Sequence, residues 1–140
     1  QGQQMSNSAS MIGKQALVNG NWAQLAGGQL SGTIELPTAA NDVRVDIKSE
    51  TGEVMASLEL GAKMAGTQEF TWDGIKGDGS AAPEANYYLS ASAIRDGQST
   101  APAMQVYGTV QSIQLKGSEV TLNVSGQGNV SFSNVKRISQ

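Results

Sequence analysis

Apolar and polar residues alternate in short runs along most of the chain, with a period of two. In the run 42–48, Val43, Val45 and Ile47 share one face and charged residues occupy the other. Further sets that share one face are Val54, Ala56, Leu58 and Leu60; Phe70 and Trp72; Tyr87, Leu89, Ala91 and Ala93; and Val120, Leu122 and Val124. Such strands bury one face and expose the other, as in antiparallel sheets. The pattern therefore predicts an all-β fold, with one short helical piece around residues 22–25.

Turns that contain glycine separate the predicted strands. They are ETGE at 50–53, RDGQ at 95–98, KGSE at 116–119 and SGQGN at 125–129. The pair Asp96-Gly97 is typical of tight hairpins, because both central residues of such a turn need positive φ. Frequent strands and turns of this kind predict a sandwich or a barrel.

The predicted strands form two groups. The middle group suits a small fibronectin III/Ig-like sandwich; its strands are 30–36, 42–49, 53–60, 67–72 and 86–95. The later strands are too few for a core of their own; they are 104–115, 119–124, 129–133 and 135–138. The strand-like segment 11–18 is their candidate partner. We therefore expect a sandwich inserted into a small barrel, with these bounds: a flexible tail at 1–9, the barrel at 10–29 plus 103–140, the sandwich at 30–102, and linkers at 26–30 and 98–103.

The composition excludes several kinds of function. The 140 residues include no cysteine and no histidine, which removes disulfides, Ser-His-Asp and Cys-His catalysis, and histidine zinc sites. The chain has nine Lys and Arg and twelve Asp and Glu, which give a net charge of −3. This balance argues against nucleic acid as a partner, because phosphate binding needs a basic surface. No apolar run has the length of a membrane span. The pair Lys136-Arg137 is interpreted as a solvated strand end, and Gln1 suggests a fragment or a processed chain.

The stretch TWDGIKGDG at 71–79 carries the strongest local signal for chemistry. A calcium loop needs oxygen ligands at alternate positions and a closing glutamate, but Asp73 and Asp78 are five positions apart and Lys76 lies between them. A phosphate loop needs Gly-Lys-Ser/Thr before a helix, and here Ser80 leads to Ala-Ala-Pro. We therefore interpret the two Asp-Gly pairs as turns between core strands. No catalytic, cofactor-binding or metal-binding residue is predicted.

The same region carries a family resemblance. GTQEFTWDGIKGDGSAAPEANYYLSASAIRDG at 66–97 resembles the Ig-like domain of the bacterial flagellar hook-capping proteins. SASMIGKQALV at 8–18 and VYGTVQSIQLKGSEVTLNVSGQGNVSFSNVKRI at 106–138 resemble segments that flank this domain in the family's C-terminal region. The chain departs from the pattern at Ala85, where the family has glycine before the tyrosine.

The resemblance implies a fibronectin III/Ig-like sandwich inserted into a Tudor-like β-barrel. It also implies a scaffold without enzymatic activity that forms an oligomeric cap, thought to be a pentamer, and guides secreted hook subunits into place. The expected partners are hook protein subunits, other cap subunits and the flagellar type III secretion apparatus, with no nucleic acid, membrane or cofactor. The expected location is the distal tip of the growing rod and hook, after export from the cytoplasm without a cleaved signal.

Other functions stay open from the residues alone. A secreted adhesion or carbohydrate-associated module would use an aromatic platform, for which Tyr87, Tyr88 and Tyr107 are candidates, although core positions suit them better. A Tudor-type reader would need an aromatic cage, for which the end segments hold few residues: Trp22, Tyr107 and Phe132. A hydrolase with paired carboxylates is the remaining enzyme class, but no pair is visible. Candidate surface contacts on the sandwich are Arg44, Lys48 and Glu59.

Overall fold

The computed structural model of the chain describes residues 10–139. These residues form twelve strands and a short 3-10 helix at Phe132–Asn134. The strands are β1 (Gln15–Asn19), β2 (Trp22–Gln24), β3 (Leu30–Leu36), β4 (Ala40–Lys48), β5 (Val54–Lys63), β6 (Gly66–Trp72), β7 (Asn86–Arg95), β8 (Gln98–Thr100), β9 (Ala103–Lys116), β10 (Glu119–Val124), β11 (Gly128–Ser131) and β12 (Val135–Ser139). The predicted tail at 1–9 lies outside the described residues.

The strands build two sheets of antiparallel pairs. One sheet has seven strands in the order β11-β10-β9-β1-β12, with β3 joined to β9 and β6 joined to β3. The other has five strands in the order β2-β7-β4-β5, with β8 also joined to β7. The predicted fold class is confirmed: the chain is all-β, an Ig-like sandwich inserted into a small Tudor-like barrel.

The core is made by the faces that the alternation predicts. Val43, Val45 and Ile47 are fully buried on β4. Trp72 and Tyr87 pack edge to face, with ring centroids 5.4 Å apart. The inner faces of β7 and β10 are buried as well. Burial of apolar side chains at these positions, at about 1.5–3 kcal/mol for each large one, is the main stabilising contribution.

Strand β9 connects the two parts of the molecule. Its 14 residues pair with β3 over 103–106, with β1 over 105–109 and with β10 over 110–116. Hydrogen bonding is therefore continuous from the sandwich strand β3 to the barrel strands. Because no break in the ladder marks a boundary, the residue bounds of the two units stay a prediction.

Two sequence predictions are wrong, both for reasons of strand pairing. Residues 22–24 form β2 and pair with β7, so the predicted helical piece at 22–25 does not exist. Val54 does not share the buried face of β5, because a β-bulge where β5 pairs with the end of β4 shifts the register. The bulge places Met55 in the core, at 7% exposure, and leaves Val54 at 55%.

The other differences concern strand ends. The segment predicted at 11–18 enters its strand only at Gln15, after a turn in which the Lys14 amide donates to the Met11 carbonyl. The predicted strand 129–133 ends at Ser131, whose hydroxyl caps the 3-10 helix by accepting from the Ser133 amide. The predicted linker 98–103 contains β8. The Asp96-Gly97 hairpin is confirmed, with φ of 51° and 79°.

A polar row crosses the sheet where the two parts meet. Asn19, Gln105 and Thr33 are cross-strand partners on β1, β9 and β3. The Thr33 hydroxyl donates to Gln105 Oε1 at 2.6 Å, and Gln105 Nε2 donates to Asn19 Oδ1 at 3.1 Å. Thr33 and Gln105 are buried. Since a buried amide without partners is costly, this row favours one register of β9.

Gly32 on β3 is required by the close approach of β9. A Cβ at this position would overlap the Gln105 carbonyl oxygen and lie 2.9 Å from Phe70 Cζ. We therefore expect Gly32→Ala to lower the free energy of unfolding by at least about 1 kcal/mol, measured by urea denaturation. Gly77→Ala is the matched control, because the nearest atom to its Cβ would be 3.9 Å away, and its effect should stay within about 0.5 kcal/mol. Equal stability of the two variants would contradict this account.

The polar row predicts energetic coupling between its members. Thr33→Val leaves the buried Gln105 Oε1 without its donor and should cost about 1–3 kcal/mol of stability. The double variant with Gln105→Leu should cost less than the sum of the two single variants, by about 0.5–3 kcal/mol, because no buried amide then remains unpaired. Urea unfolding of the four proteins measures this coupling, and strict additivity would exclude it.

Candidate functional site

The Asp-Gly loop is built as two successive turns. Asp73 Oδ1 accepts from the Ile75 amide at 3.0 Å, and Asp78 Oδ1 accepts from the amide and hydroxyl of Ser80 at 2.9 and 2.6 Å. The glycine after each aspartate has positive φ, 77° and 91°. Trp72 anchors the loop: its ring is buried, and its Nε1 donates to the Ile75 carbonyl at 2.9 Å. Each carboxylate therefore shapes its own turn, which confirms the predicted role of the two pairs.

The titratable groups near this loop are perturbed for structural reasons. The hydroxyl and then the amide of Ser80 hold the pKa of Asp78 below its ordinary value of 3.8, by hydrogen bonding to the carboxylate. Burial raises the pKa of Tyr87 above 10.0, and the Tyr87 hydroxyl donates to the Pro83 carbonyl at 2.5 Å. The positive charge of Lys76 makes a smaller contribution that also lowers the pKa of Asp78, whereas the pKa of Tyr87 is raised by burial alone.

Residues 10–139 contain no cluster of three or more Asp and Glu side chains placed to hold a metal ion. Within the same range, no helix has the length and hydropathy of a membrane span.

The candidate aromatic residues are distributed over separate contacts. Tyr87 is in the core, while Trp22 and Tyr88 form an exposed edge-to-face pair with ring centroids 5.3 Å apart and planes at 63°. The Tyr107 hydroxyl accepts from Arg137 at 2.8 Å on the other sheet. Phe132 lies in the 3-10 helix beyond β11. The structure thus assembles neither a flat platform from the three tyrosines nor a cage from Trp22, Tyr107 and Phe132.

A groove of about 820 Å³ lies at the end of the sandwich, between the β3–β4 loop and the β7–β8 hairpin. Its walls are formed by Pro37, Pro102 and several alanines, and Arg95 and Asp96 at its rim lie 3.8 Å apart. With small and proline side chains along its walls, it has the character of a surface depression between loops.

The candidate surface residues Arg44, Lys48 and Glu59 differ in their environments. Arg44 lies 3.3 Å from Asp46 and 3.9 Å from Glu59. Two of the three candidates, Arg44 and Glu59, therefore form an ion pair with each other. Lys48 forms no ion pair with any residue in the described part of the chain.

A surface that the sequence interpretation missed surrounds Lys48. Trp22, Tyr88, Lys48 and Val54 are successive cross-strand neighbours on β2, β7, β4 and β5. We call these four residues the exposed row. The sequence carries no clear signal for it, because Trp22 and Ala23 are both apolar and the alternation of exposed and buried positions at 22–25 exists only in the folded chain. The prediction of a helix there also concealed the pairing of Trp22 with Tyr88.

The hydrogen bond from Ser80 predicts a shifted titration of Asp78. Because the folded-state pKa is depressed, this bond stabilises the fold above the unfolded pKa and is lost as the pH falls through the folded pKa. Ser80→Ala should move the pKa of Asp78 upward towards 3.8, as measured by NMR titration of its carboxyl carbon. Ser99→Ala on β8, which makes none of these bonds, is the control. An unchanged Asp78 titration in Ser80→Ala would contradict the assignment.

Comparison with known proteins relates this fold to one family. Residues 20–97, more than half of the chain, match the sequence model of the FlgD Ig-like domain. The basal-body rod modification protein FlgD of Escherichia coli K12 is 31% identical over 105 residues, which are 75% of this chain and 46% of that protein. The chain therefore spans less than half the length of this relative.

Solved structures agree over nearly the whole chain. FlgD from Pseudomonas aeruginosa is 25% identical with a TM-score of 0.84, covering 92% of this chain and 98% of the other. FlgD from Xanthomonas campestris is 26% identical with a TM-score of 0.84, covering 97% and 99%; its crystal structure was described as giving insights into the hook capping essential for flagellar assembly. On the sequence match and the shared fold, this chain belongs to the FlgD family.

Proposed function

We propose that this chain is part of a flagellar hook cap, a scaffold that promotes assembly of secreted hook subunits at the tip of the growing rod and hook. The observation that carries the proposal is the agreement in fold with the X. campestris protein over 97% of this chain, together with the family match. Because the chain spans less than half of its E. coli relative, the activity is proposed for the full-length protein.

We propose that the scaffold has no enzymatic activity. The carboxylates of Asp73 and Asp78, the strongest candidates for chemistry, are engaged in local turns. A scaffold of this kind acts through repeated contacts on its surface, and such contacts need accessible polar and aromatic side chains more than a deep pocket.

Further parts of the proposal concern partners and location. Self-association into a cap, a pentamer in the full-length protein, is expected, as are export by the flagellar type III secretion apparatus and a final position outside the cell. Nucleic acid and membrane are not expected as partners. The proposed units are a sandwich at 30–102 and a barrel at 10–29 plus 103–140, with β9 passing from one to the other.

The alternative of a carbohydrate-associated adhesion module is less favoured. Sugar rings stack on flat, accessible aromatic faces, whereas the exposed pair of Trp22 and Tyr88 meets at 63° and Tyr87 is buried. Neither the family match nor the structural relatives support this alternative.

Deletion of the gene in the source bacterium tests the capping function. We expect rods without hooks in electron micrographs of purified basal bodies, together with unassembled hook protein in the culture medium. Expression of the full-length gene should restore the hooks, which controls for effects on neighbouring genes. Normal hooks in the deletion strain would exclude the proposed function.

A further inference from the structure

The exposed row combines aromatic, apolar and cationic side chains on one accessible face. Trp22 and Tyr88 are 37% and 38% exposed, and Val54 is 55% exposed. Directly opposed side chains in antiparallel strands lie about 4.5–5.5 Å apart at Cβ. The four residues therefore form a contiguous strip across the whole width of the β2-β7-β4-β5 sheet.

The middle of this sheet face carries a network of charged and polar side chains that pair with one another. Towards the middle of the sheet, Arg44 pairs with Asp46 and Glu59, and Ser57 donates to Asp46 at 2.7 Å. The exposed row lies one step further along β4 and has no comparable network. The free polar groups of the exposed row are therefore available to a partner, whereas Arg44, Asp46 and Glu59 are engaged with one another.

The free polar groups of the row are mostly donors. Trp22 Nε1, the Tyr88 hydroxyl and Lys48 Nζ make no hydrogen bond or ion pair with any described residue. Beside Tyr88 on the same face, Asn86 Oδ1 is buried and accepts no hydrogen bond within residues 10–139. A partner that complements three donors and a positive charge carries carboxylates, and one that covers Trp22, Tyr88 and Val54 is apolar next to them.

We propose that the exposed row binds the secreted hook subunit, at a segment where an Asp or Glu lies beside an apolar side chain. This inference rests on the proposed capping function and names the surface that performs it. The carboxylate pairs with Lys48, and the neighbouring apolar side chain covers Trp22 and Tyr88. Tryptophan and tyrosine are the residues most enriched among those that dominate binding energy in protein interfaces.

Charge complementarity favours an acidic partner here over a second copy of the chain docking face to face. Such a symmetric contact brings the two Lys48 side chains towards each other, and the like charges repel. The strength of the contact is limited by salt screening, because the row is open to solvent. A contact of this kind suits a surface that binds and releases successive subunits.

The test measures binding of purified hook protein to the full-length protein by biolayer interferometry. Lys48→Glu and Tyr88→Ser should each weaken binding about tenfold or more. Lys48→Arg keeps the charge and should bind within about twofold of wild type. Lys136→Glu is the matched control, since it makes the same charge change at an exposed position on β12 of the other sheet. Thermal melting verifies that each variant is folded.

Three outcomes would overturn this inference. The first is that Lys48→Glu and Tyr88→Ser both bind hook protein with wild-type affinity. The second is that Lys48→Glu and Lys136→Glu lose the same amount of affinity for hook protein. The third is a failure of the wild-type protein to bind hook protein. If the first outcome is accompanied by changed self-association of the variants in sedimentation, the row belongs to a contact between copies of this chain. The deletion experiment is independent of these outcomes. Missing hooks in the deletion strain support the capping function even if the variants bind normally. Normal hooks in that strain exclude the capping function whatever the variants do.

Discussion

The structure depends on the pairing of one strand, β9, with neighbours from both parts of the molecule. Its first residues complete the sandwich sheet against β3, and its later residues build the barrel with β1 and β10. The buried row of Asn19, Gln105 and Thr33 lies at the crossing point, where a slip of one residue would bury an unpaired amide. A single register of β9 therefore sets the positions of the sandwich strand β3 and of the barrel strands β1 and β10 at once.

The Asp-Gly loop shows how residues typical of chemistry serve architecture. Trp72 needs a partner for its indole N–H when buried, and the Ile75 carbonyl supplies it only if the chain turns sharply after the strand. The carboxylates of Asp73 and Asp78 stabilise those turns by accepting backbone amides. Once engaged in this way, they are two separate local acceptors and do not act as a pair. The loop therefore stabilises the fold, and the candidate functional site is the exposed row on the β2-β7-β4-β5 sheet.

That surface follows from strand pairing. Trp22, Tyr88, Lys48 and Val54 are far apart in the sequence and adjacent only because β2 joins β7, and because the bulge in β5 turns Val54 outwards. The backbone of a sheet is rigid, so the main chain that carries these side chains loses little conformational freedom on binding. On the same face, the charges around Arg44 pair with one another, as on an ordinary solvated surface. The exposed row differs from them because its polar groups have no such partners among the described residues.

The sequence by itself determined the all-β class, the strands β3, β7 and β10, the buried faces of β4 and β7, and the turns at Asp96-Gly97 and the Asp-Gly loop. These features are local, because alternation and turn residues act over a few positions. Only the tertiary structure decided that residues 22–24 form a strand, that Met55 replaces Val54 in the core, and that β9 pairs on both sides. Each of these depends on a hydrogen-bonded partner that is distant in the chain. The exposed row likewise depends on three pairings, which join β2 to β7, β7 to β4 and β4 to β5. Local pattern carries no information on which strands meet, so the candidate site became visible only in the folded chain.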